Sequence, residues 1–407
     1  MTTHVALNSA YCTMQLLNMS ADMVAMQFPP LPRGKNSEDT LKRRKILEET
    51  LKLKFRHLTN NSLSAEAASK NIENFIGVSQ VPLGVVGPLH VKGQNARGAY
   101  YIPMATTEGA LLATVNRGCS VVTASGGATC RIIRDEMTRA PILRVDDIEH
   151  GIKVINWIGR NMETLRRATA KTTSHGELVS AEPYLSGRNL FIRFSFATGD
   201  AMGMNMATIA SQQMCDMIEK KTGAKTISVS GNMCTDKKAA AINYIGGRGK
   251  SVLADVNVPE SVVVEKLHAS SAEIAEAATR KNLVGSAMAL SMGFNSHFAN
   301  MAAALFIATG QDAAQVVEAS MGMSIAESTD SGLYFSVRIP SLEVGTVGGG
   351  TGLPTQREAL EIMGCAGSGK SPKFAEIAAA LILAGELSTL AAQSRGELAA
   401  AHSSLAR

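Results

Sequence analysis

Aromatic residues are scarce, at 4% of 407 residues, with one Trp, 6 Tyr and 11 Phe. A core for a chain this long must be filled by aliphatic residues and by 20 Met, whose flexible thioethers suit irregular gaps. Cysteine is also sparse. The six, at positions 12, 119, 130, 215, 234 and 365, form no CxxC pair and have no His at metal-ligand spacing. That excludes a disulfide-stapled scaffold and points to reduced thiols with no metal centre. Long apolar runs are missing too. Ile377 to Gly385 and Met301 to Gly310 are too short to span a bilayer, and the N-terminus lacks the charged-then-apolar order of a signal peptide. A soluble, cytoplasmic chain without a membrane span is expected, unless it is a fragment of an anchored protein. The charge excess is small: 40 Lys and Arg against 35 Asp and Glu give +5, too weak to argue for nucleic acid.

What is abundant is Gly, 36 residues spread through turns, together with Ala and Met. Small residues on helix faces allow close helix packing. Residues 1–62 are expected to form a helical region and linker, helical over 38–70, with the basic run Lys42 to Lys45 on a solvated face. Strand-like pieces come next, at Phe75 to Val78 and Val81 to Leu89. Residues 132–229 have their own rhythm: a strand at Ile142 to Val145 and a helix over 147–170. Two strands, Glu177 to Tyr184 and Asn189 to Phe196, then a helix Met204 to Lys221 and a strand Ala224 to Val229 complete it. The order βαββαβ predicts a ferredoxin-like unit, inserted in a larger unit made of 63–131 and 230–407. The larger unit is expected to carry helices over 258–280, 285–309 and 374–401, so the fold class is α+β.

Five segments could carry chemistry. Gly364 to Ser371 matches GxxxxGK[ST], the phosphate-binding loop pattern. A charged helical pattern precedes it and Pro372 succeeds it, so a solvent loop between helices is the expectation, with an NTPase as the rival function. Asp200-Ala201-Met202-Gly203-Met204-Asn205 joins a strand to a helix, a geometry shared by anion sites and by ordinary capped helix starts. Ser230 to Lys238 sets adjacent lysines behind Asp236 in a Gly/Asn-rich turn. It reads as a solvated turn or as a clamp for a developing oxyanion. Glu73, Asp312 and His402 are ionisable groups on or beside apolar elements; taken singly they read as a strand-edge charge, an N-cap and a helix-end residue. Gly345 to Gly352 holds five glycines in eight residues, a sign of positive φ or of close backbone approach.

Together these segments resemble the HMG-CoA reductases, from about Asn71 to His402. Asp-Ala-Met-Gly-Met-Asn at 200–205 and Thr-Val-Gly-Gly-Gly-Thr at 346–351 are signatures of that family, joined by Pro103 to Gly109, Met137 to Arg139, Ser230 to Lys238, Lys281 to Met288 and Gly310 to Asp312. The resemblance implies reduction of 3-hydroxy-3-methylglutaryl-CoA to mevalonate and CoA by NADPH. It also implies a large substrate domain with an inserted dinucleotide-binding domain, and a homodimer or homotetramer with interfacial active sites. It makes Lys237 the oxyanion stabiliser, Glu73 a proton donor, Asp312 the partner of Lys237, and His402 the acid that protonates the leaving thiolate. Arg131, Ser230, Asn232, Asp236, Lys238, Lys281, His297 and Asn300 would line the substrate site. Asp200, Gly203, Met204, Asn205, Val347, Gly348 and Thr351 would meet the dinucleotide. Ser174 and His175 stand where the family commonly has an Arg for the 2′-phosphate, and Ala239 stands where a Pro usually comes after the paired lysines.

Overall fold

The computed structural model describes residues 29–396, in two compact units, 1–80 and 81–407. In the first, a helix Ser37–Leu51 begins at Asn36, whose side chain accepts from Asp39 N, and stops at Lys52 in the left-handed region. The basic run on it is only partly solvated. Arg43 is fully buried, and its guanidinium donates to the carbonyls of Phe75, Pro32 and Gly34. Arg44 donates to the Ile76 carbonyl. Those bonds satisfy the 75–76 backbone, which therefore forms no strand. Leu41 and Leu51 face solvent instead. Beyond Lys52 the only helix among the described residues of this unit is the short Ala65–Ala68, not the continuous helix expected to residue 70.

The second unit contains ten strands among its described residues. They are β1 (Leu83–Gly93), β2 (Arg97–Ala105), β3 (Ala128–Arg139), β4 (Ile142–Arg144), β5 (Glu177–Ser186), β6 (Asn189–Ala197), β7 (Lys225–Ser228), β8 (Gly249–Pro259), β9 (Met323–Thr329) and β10 (Gly332–Leu342). The long strand β3 belongs to two sheets. Its first part pairs parallel with β1 and antiparallel with β8, and from Met137 it pairs with β6. The switch thus falls at residues 136–137, within the strand, a few residues past the expected boundary at 132. Beyond it the order is β7-β4-β6-β5, all antiparallel, with helices Ile148–Arg160, Met162–Ala170 and Met204–Thr222. This is the βαββαβ topology expected for 132–229. Asn161 breaks the first helical stretch, its side-chain amide donating to the Trp157 carbonyl. Each sheet has its own apolar core: Met137 to Ala224 supply one, and residues from β1 to Ala391 supply the other.

The helices of the larger core differ from the expected spans. β8 runs on to Pro259, so strand replaces the start of the helix expected at 258. Two π-helical turns, Val263–Leu267 and Ala278–Gly285, interrupt the remainder of that span. The stretch expected as one helix over 285–309 is broken by an irregular 289–297. There the Phe294 N–H bonds to the Gly322 carbonyl and the Asn295 side chain accepts from Phe298 N, so the helix restarts only at Phe298–Thr309. A 24-residue helix, Ser371–Ser394, runs through the core. It is long and apolar enough to cross a membrane, contrary to the expectation from short apolar runs, but its most apolar stretch is wholly buried in this unit. Close approach explains some of the glycine. A Cβ on Gly118, in the helix Leu111–Ala124, would stand 1.9 Å from the Ala384 carbonyl oxygen.

Candidate functional site

Lys237 sits in the turn 230–238, where Asn232, Thr235 and Lys237 all have positive φ. For Thr and Lys that conformation costs roughly 1 kcal/mol or more each, a strain typical of functional turns. The Lys237 ammonium donates to Asp312 Oδ2 at 2.8 Å. This bond, with the charges of Asp312, Asp236 and Glu318, outweighs partial desolvation and raises the lysine pKa above its ordinary value. Asp312 also caps the 3-10 turn Ala313–Gln315, accepting from Ala314 N at 3.1 Å. Cap and partner are therefore the same carboxylate. Burial would raise the Asp236 carboxyl, but Arg248, Gln315, Lys237 and Arg139 together hold it below the usual range.

Asp312 lines a cavity of about 540 Å³ shared with Gly203, Met204, Asn205, Val347, Gly348 and Thr351, so the two glycine-rich segments expected to meet a dinucleotide converge there. The 19-residue helix Met204–Thr222 starts at this cavity from Gly203, with no side chain capping its first amides. Such a terminus favours anions. Gly310 has φ of 70°, and a Cβ there would lie 2.3 Å from the Gly350 carbonyl oxygen, so Gly310 permits the cavity's two walls to touch. Ser174 and His175 are exposed in the loop whose Gly176 packs on Met206, another residue of the cavity wall.

Asp200 behaves differently from the expectation of a cofactor contact. Its carboxylate accepts from the backbone amides of Gly369, Lys370 and Ser371 at 2.6, 3.1 and 3.1 Å. Its carbonyl accepts from Thr346 and Val347. Asp200 thus ties the Asp-Ala-Met-Gly segment to the glycine loop and to the start of the long helix. The same bonds fill the amide cradle of the phosphate-loop pattern with a carboxylate.

A second group of expected residues gathers around Glu386, a fully buried carboxylate on the long helix. It accepts from Ser296 N, His297 N, Asn282 Nδ2 and Ser324 Oγ. Lys281 donates to Asn282 Oδ1 and Ser296 Oγ at 3.0 and 2.9 Å. Desolvation lowers its pKa. His297 Nε2 lies 3.2 Å from the Gly385 carbonyl. Asn300 donates to Glu108 Oε1 at 3.1 Å, which brings in a carboxylate that sequence alone did not single out. Among the described residues no hydrogen bond or ion pair joins this group to the Lys237 group.

Of the rest, Ser230 Oγ is 3.8 Å from Cys234 Sγ, and Lys238 Nζ donates to the Asp236 carbonyl. Arg131, expected in the substrate site, bonds to no residue of either group among the described residues. It is exposed on β3 and spends Nη1 on the carbonyls of Lys92 and Cys130. Eight residues further along the same strand, about 26 Å at roughly 3.3 Å per residue, Arg139 stands 3.9 Å from Asp236. Its Nε is buried without a partner. Both arginines lie in one motif-rich stretch, so sequence alone did not separate them; only the strand register does. Glu73 lies in the first unit, 76% exposed, paired with Lys35 at 3.1 Å. His402 lies outside the described residues.

The sequence model of hydroxymethylglutaryl-coenzyme A reductase matches residues 39–407. The 3-hydroxy-3-methylglutaryl-coenzyme A reductase of Methanocaldococcus jannaschii is 52% identical over 372 residues, covering 90% of this chain and 92% of that protein. The protein of the same name from Methanothermobacter thermautotrophicus is 50% identical over 367 residues, with 90% and 92% covered. Among solved structures, the class II 3-hydroxy-3-methylglutaryl-CoA reductase of Streptococcus pneumoniae, bound to NADPH in open conformations, superposes with a TM-score of 0.66 at 19% identity, covering 81% of this chain and 89% of that one. That likeness speaks to the fold.

Proposed function

The chain belongs to the hydroxymethylglutaryl-coenzyme A reductase family, and on that premise we propose that it reduces (S)-3-hydroxy-3-methylglutaryl-CoA to mevalonate and CoA. Two NADPH and two protons are consumed, in the mevalonate route to isoprenoids, in the cytoplasm. The observation that carries the reading is the Lys237–Asp312 pair, whose aspartate lines the glycine-rich cavity. The cavity's close backbone approach and the uncapped helix start at Gly203 fit a dinucleotide pyrophosphate. When bound, the nicotinamide supplies hydride to the thioester carbonyl and then to the aldehyde.

Lys237 meets the negative charge that develops on the carbonyl oxygen in each reduction. Asp312 keeps the lysine protonated and aimed. Arg139, with an unpaired buried Nε beside the same turn, suits the substrate's carboxylate better than Arg131 does. Ser230, Asn232, Asp236 and Lys238 frame that turn. The family resemblance assigns the proton on the leaving thiolate to His402, since histidine is the side chain type suited to proton transfer near neutral pH. For the second reduction two carboxylates compete. The hydrogen bond and charge of Lys35 hold exposed Glu73 below the ordinary carboxyl range, which disfavours proton donation. Glu108, bonded to Asn300, is the better-supported donor.

In one chain, among the described residues, the Lys237 group and the Lys281–His297–Asn300–Glu108 group form no direct bond. That separation fits an active site completed between subunits, a homodimer or a homotetramer built of such pairs. The rival NTPase reading has no support, since Asp200 fills the amide cradle it needs.

The test is oxidation of NADPH and of NADH with HMG-CoA by the wild type and Lys237→Ala. The wild type should turn over with NADPH, and the variant should lose about 10²- to 10³-fold or more in kcat, the usual effect of removing one oxyanion donor. No HMG-CoA-dependent oxidation by the wild type with either cofactor would refute the function. Glu108→Gln should lose far more activity than Glu73→Gln.

A further inference from the structure

Arg248 immediately precedes β8, has its side chain wholly buried and faces three carboxylates. Its Nη2 is 3.0 Å from Asp236 Oδ1, and its Nη1 is 3.5 Å from Glu318 Oε1 and closer still to Glu343 Oε2. Oxygens of the three acids lie within 4.8 Å of one another, a spacing that could hold a metal ion, but the guanidinium already supplies the positive charge. One guanidinium cannot neutralise three carboxylates. Arg139 adds a cation on the Asp236 side, at 3.9 Å. Including the Lys237–Asp312 pair, three cations (Arg139, Lys237, Arg248) face four acids (Asp236, Asp312, Glu318, Glu343). Arg193, the next cation, donates to the Met233 carbonyl, Asn243 Oδ1 and the Gly247 carbonyl and to none of these acids, so within the bonded set one retained proton restores the balance.

Glu343 is the acid best placed to retain it. It is 1% exposed, Arg248 is the only cation bonded to it among the described residues, and its Oε1 has no hydrogen-bond partner. An ionised carboxylate with an idle buried oxygen is costly. The cluster also supports Lys237 directly. Glu318 accepts the Lys237 backbone N–H, and Asp236, held by Arg248, is its chain neighbour.

We propose that Arg248 and its three carboxylates form a proton-holding cradle for the Lys237 turn, in which neutral Glu343 is a positioning residue. Burial, reinforced by Glu318 and Asp236, pushes the Glu343 carboxyl well above its usual range despite Arg248. Glu318 shifts the same way for the same first cause. The other charged or titratable neighbours are Arg193, which donates to the Gly247 and Met233 carbonyls, and the buried Cys234 within the turn. Asp312 faces the same cavity as Glu343. Ionisation of Glu343 adds a charge that competes for Arg248. Asp236 and Glu318 then loosen, and with them the turn that carries Lys237. The catalytic consequence rests on the proposed role of Lys237 in the reduction; the protonation of Glu343 does not.

The test uses the full chain and Glu343→Gln, which cannot ionise. A glutamic acid whose pKa is raised on folding loses stability relative to glutamine as pH rises above the unfolded value of about 4.3. The thermal midpoint of Glu343→Gln minus that of the wild type should therefore widen steadily from pH 5 towards pH 8. In NADPH oxidation with HMG-CoA, the alkaline fall in kcat should move to higher pH in Glu343→Gln, with KM changing less. Arg248→Met should lose kcat at least 100-fold, and Arg248→Lys should restore part of it. If Glu343→Gln does not fold, Glu343→Met, of similar volume and equally unable to ionise, takes its place in both measurements with the same outcomes expected. A midpoint difference constant with pH, or superimposable kcat profiles, would overturn the proposal. If the wild type shows no turnover, the functional reading fails while the midpoint measurement still decides Glu343.

Discussion

Asp200→Ala isolates a joint that connects the glycine-lined cavity to the core. The aspartate carboxylate receives three amides at the head of the helix Ser371–Ser394. Gly369 and Lys370 are exposed, so their amides regain water when the carboxylate is removed, whereas Ser371 is fully buried. One charge-assisted bond to a buried amide is worth about 1.5–3 kcal/mol, and loss of a cap costs about 1 kcal/mol. Partial exposure of the carboxylate discounts the sum, leaving about 2–3 kcal/mol. Asn keeps an acceptor oxygen but no charge and should cost about 1 kcal/mol. The Asp200 carbonyl still holds Thr346 and Val347 in the Ala variant, but without the carboxylate the joined segments lose their anchor on the long helix and the cavity walls should slip. KM for NADPH should then rise more than kcat falls. Thermal melting combined with steady-state NADPH oxidation reads both effects. An alanine variant that melts within about 1 °C of the wild type with unchanged KM would show that the joint contributes nothing.

Two further substitutions separate competing readings. Lys370→Ala should leave HMG-CoA reduction and stability close to wild type, because the Asp200 bond at that position uses the backbone N–H and not the side chain; a loss comparable to Lys237→Ala in the oxidation assay would revive the phosphate-loop reading. Gly118→Ala places a methyl 1.9 Å from the Ala384 carbonyl oxygen and must push two core helices apart. It should cost about 3 kcal/mol, the upper end of overpacking, and lower the melting temperature by roughly 4 °C. A variant that melts like the wild type would mean that the two helices have room to spare at Gly118.

The small βαββαβ unit was legible because its signals are local. Alternation, a turn at Ser186-Gly187 and helical spacing each act within a few residues. The pairing of Lys237 with Asp312 was legible only through resemblance, since the two lie far apart in the chain and meet only in the fold. What escaped was decided by distant partners. Arg43 belongs to a run that reads as a solvated face, yet carbonyls of Pro32, Gly34 and Phe75 draw it inside. Asp200 reads as a ligand contact or cap for the helix next to it, but it caps one that begins 171 residues later. Arg131 and Arg139 look equivalent until the register of β3 sets them well apart on one strand. The helices expected over 258–280 and 285–309 failed where Pro259, the π-turns and the 289–297 loop answered to strand pairing and to Gly322, not to periodicity.

The helix Ser371–Ser394 explains why so apolar a segment need not be a membrane span. It carries two glutamates among its buried residues, an expense that a lipid-facing helix would avoid. Each is satisfied by a loop. Glu376 accepts from the amides of Gln94, Asn95 and Ala96 between β1 and β2, and Glu386 accepts from Ser296, His297, Asn282 and Ser324. The helix thus anchors three separate segments, two through its own carboxylates and one through the amides at its head, which bind the Asp200 carboxylate. Two of those segments carry proposed cofactor and substrate contacts. The abundance of Ala and Gly stems from this arrangement. A central rod must be approached on all sides by other backbones, and small residues such as Gly118 against Ala384 permit that approach. Sparse aromatics and adaptable Met thioethers then fill what space remains, so the composition reflects how the loops of the site are held.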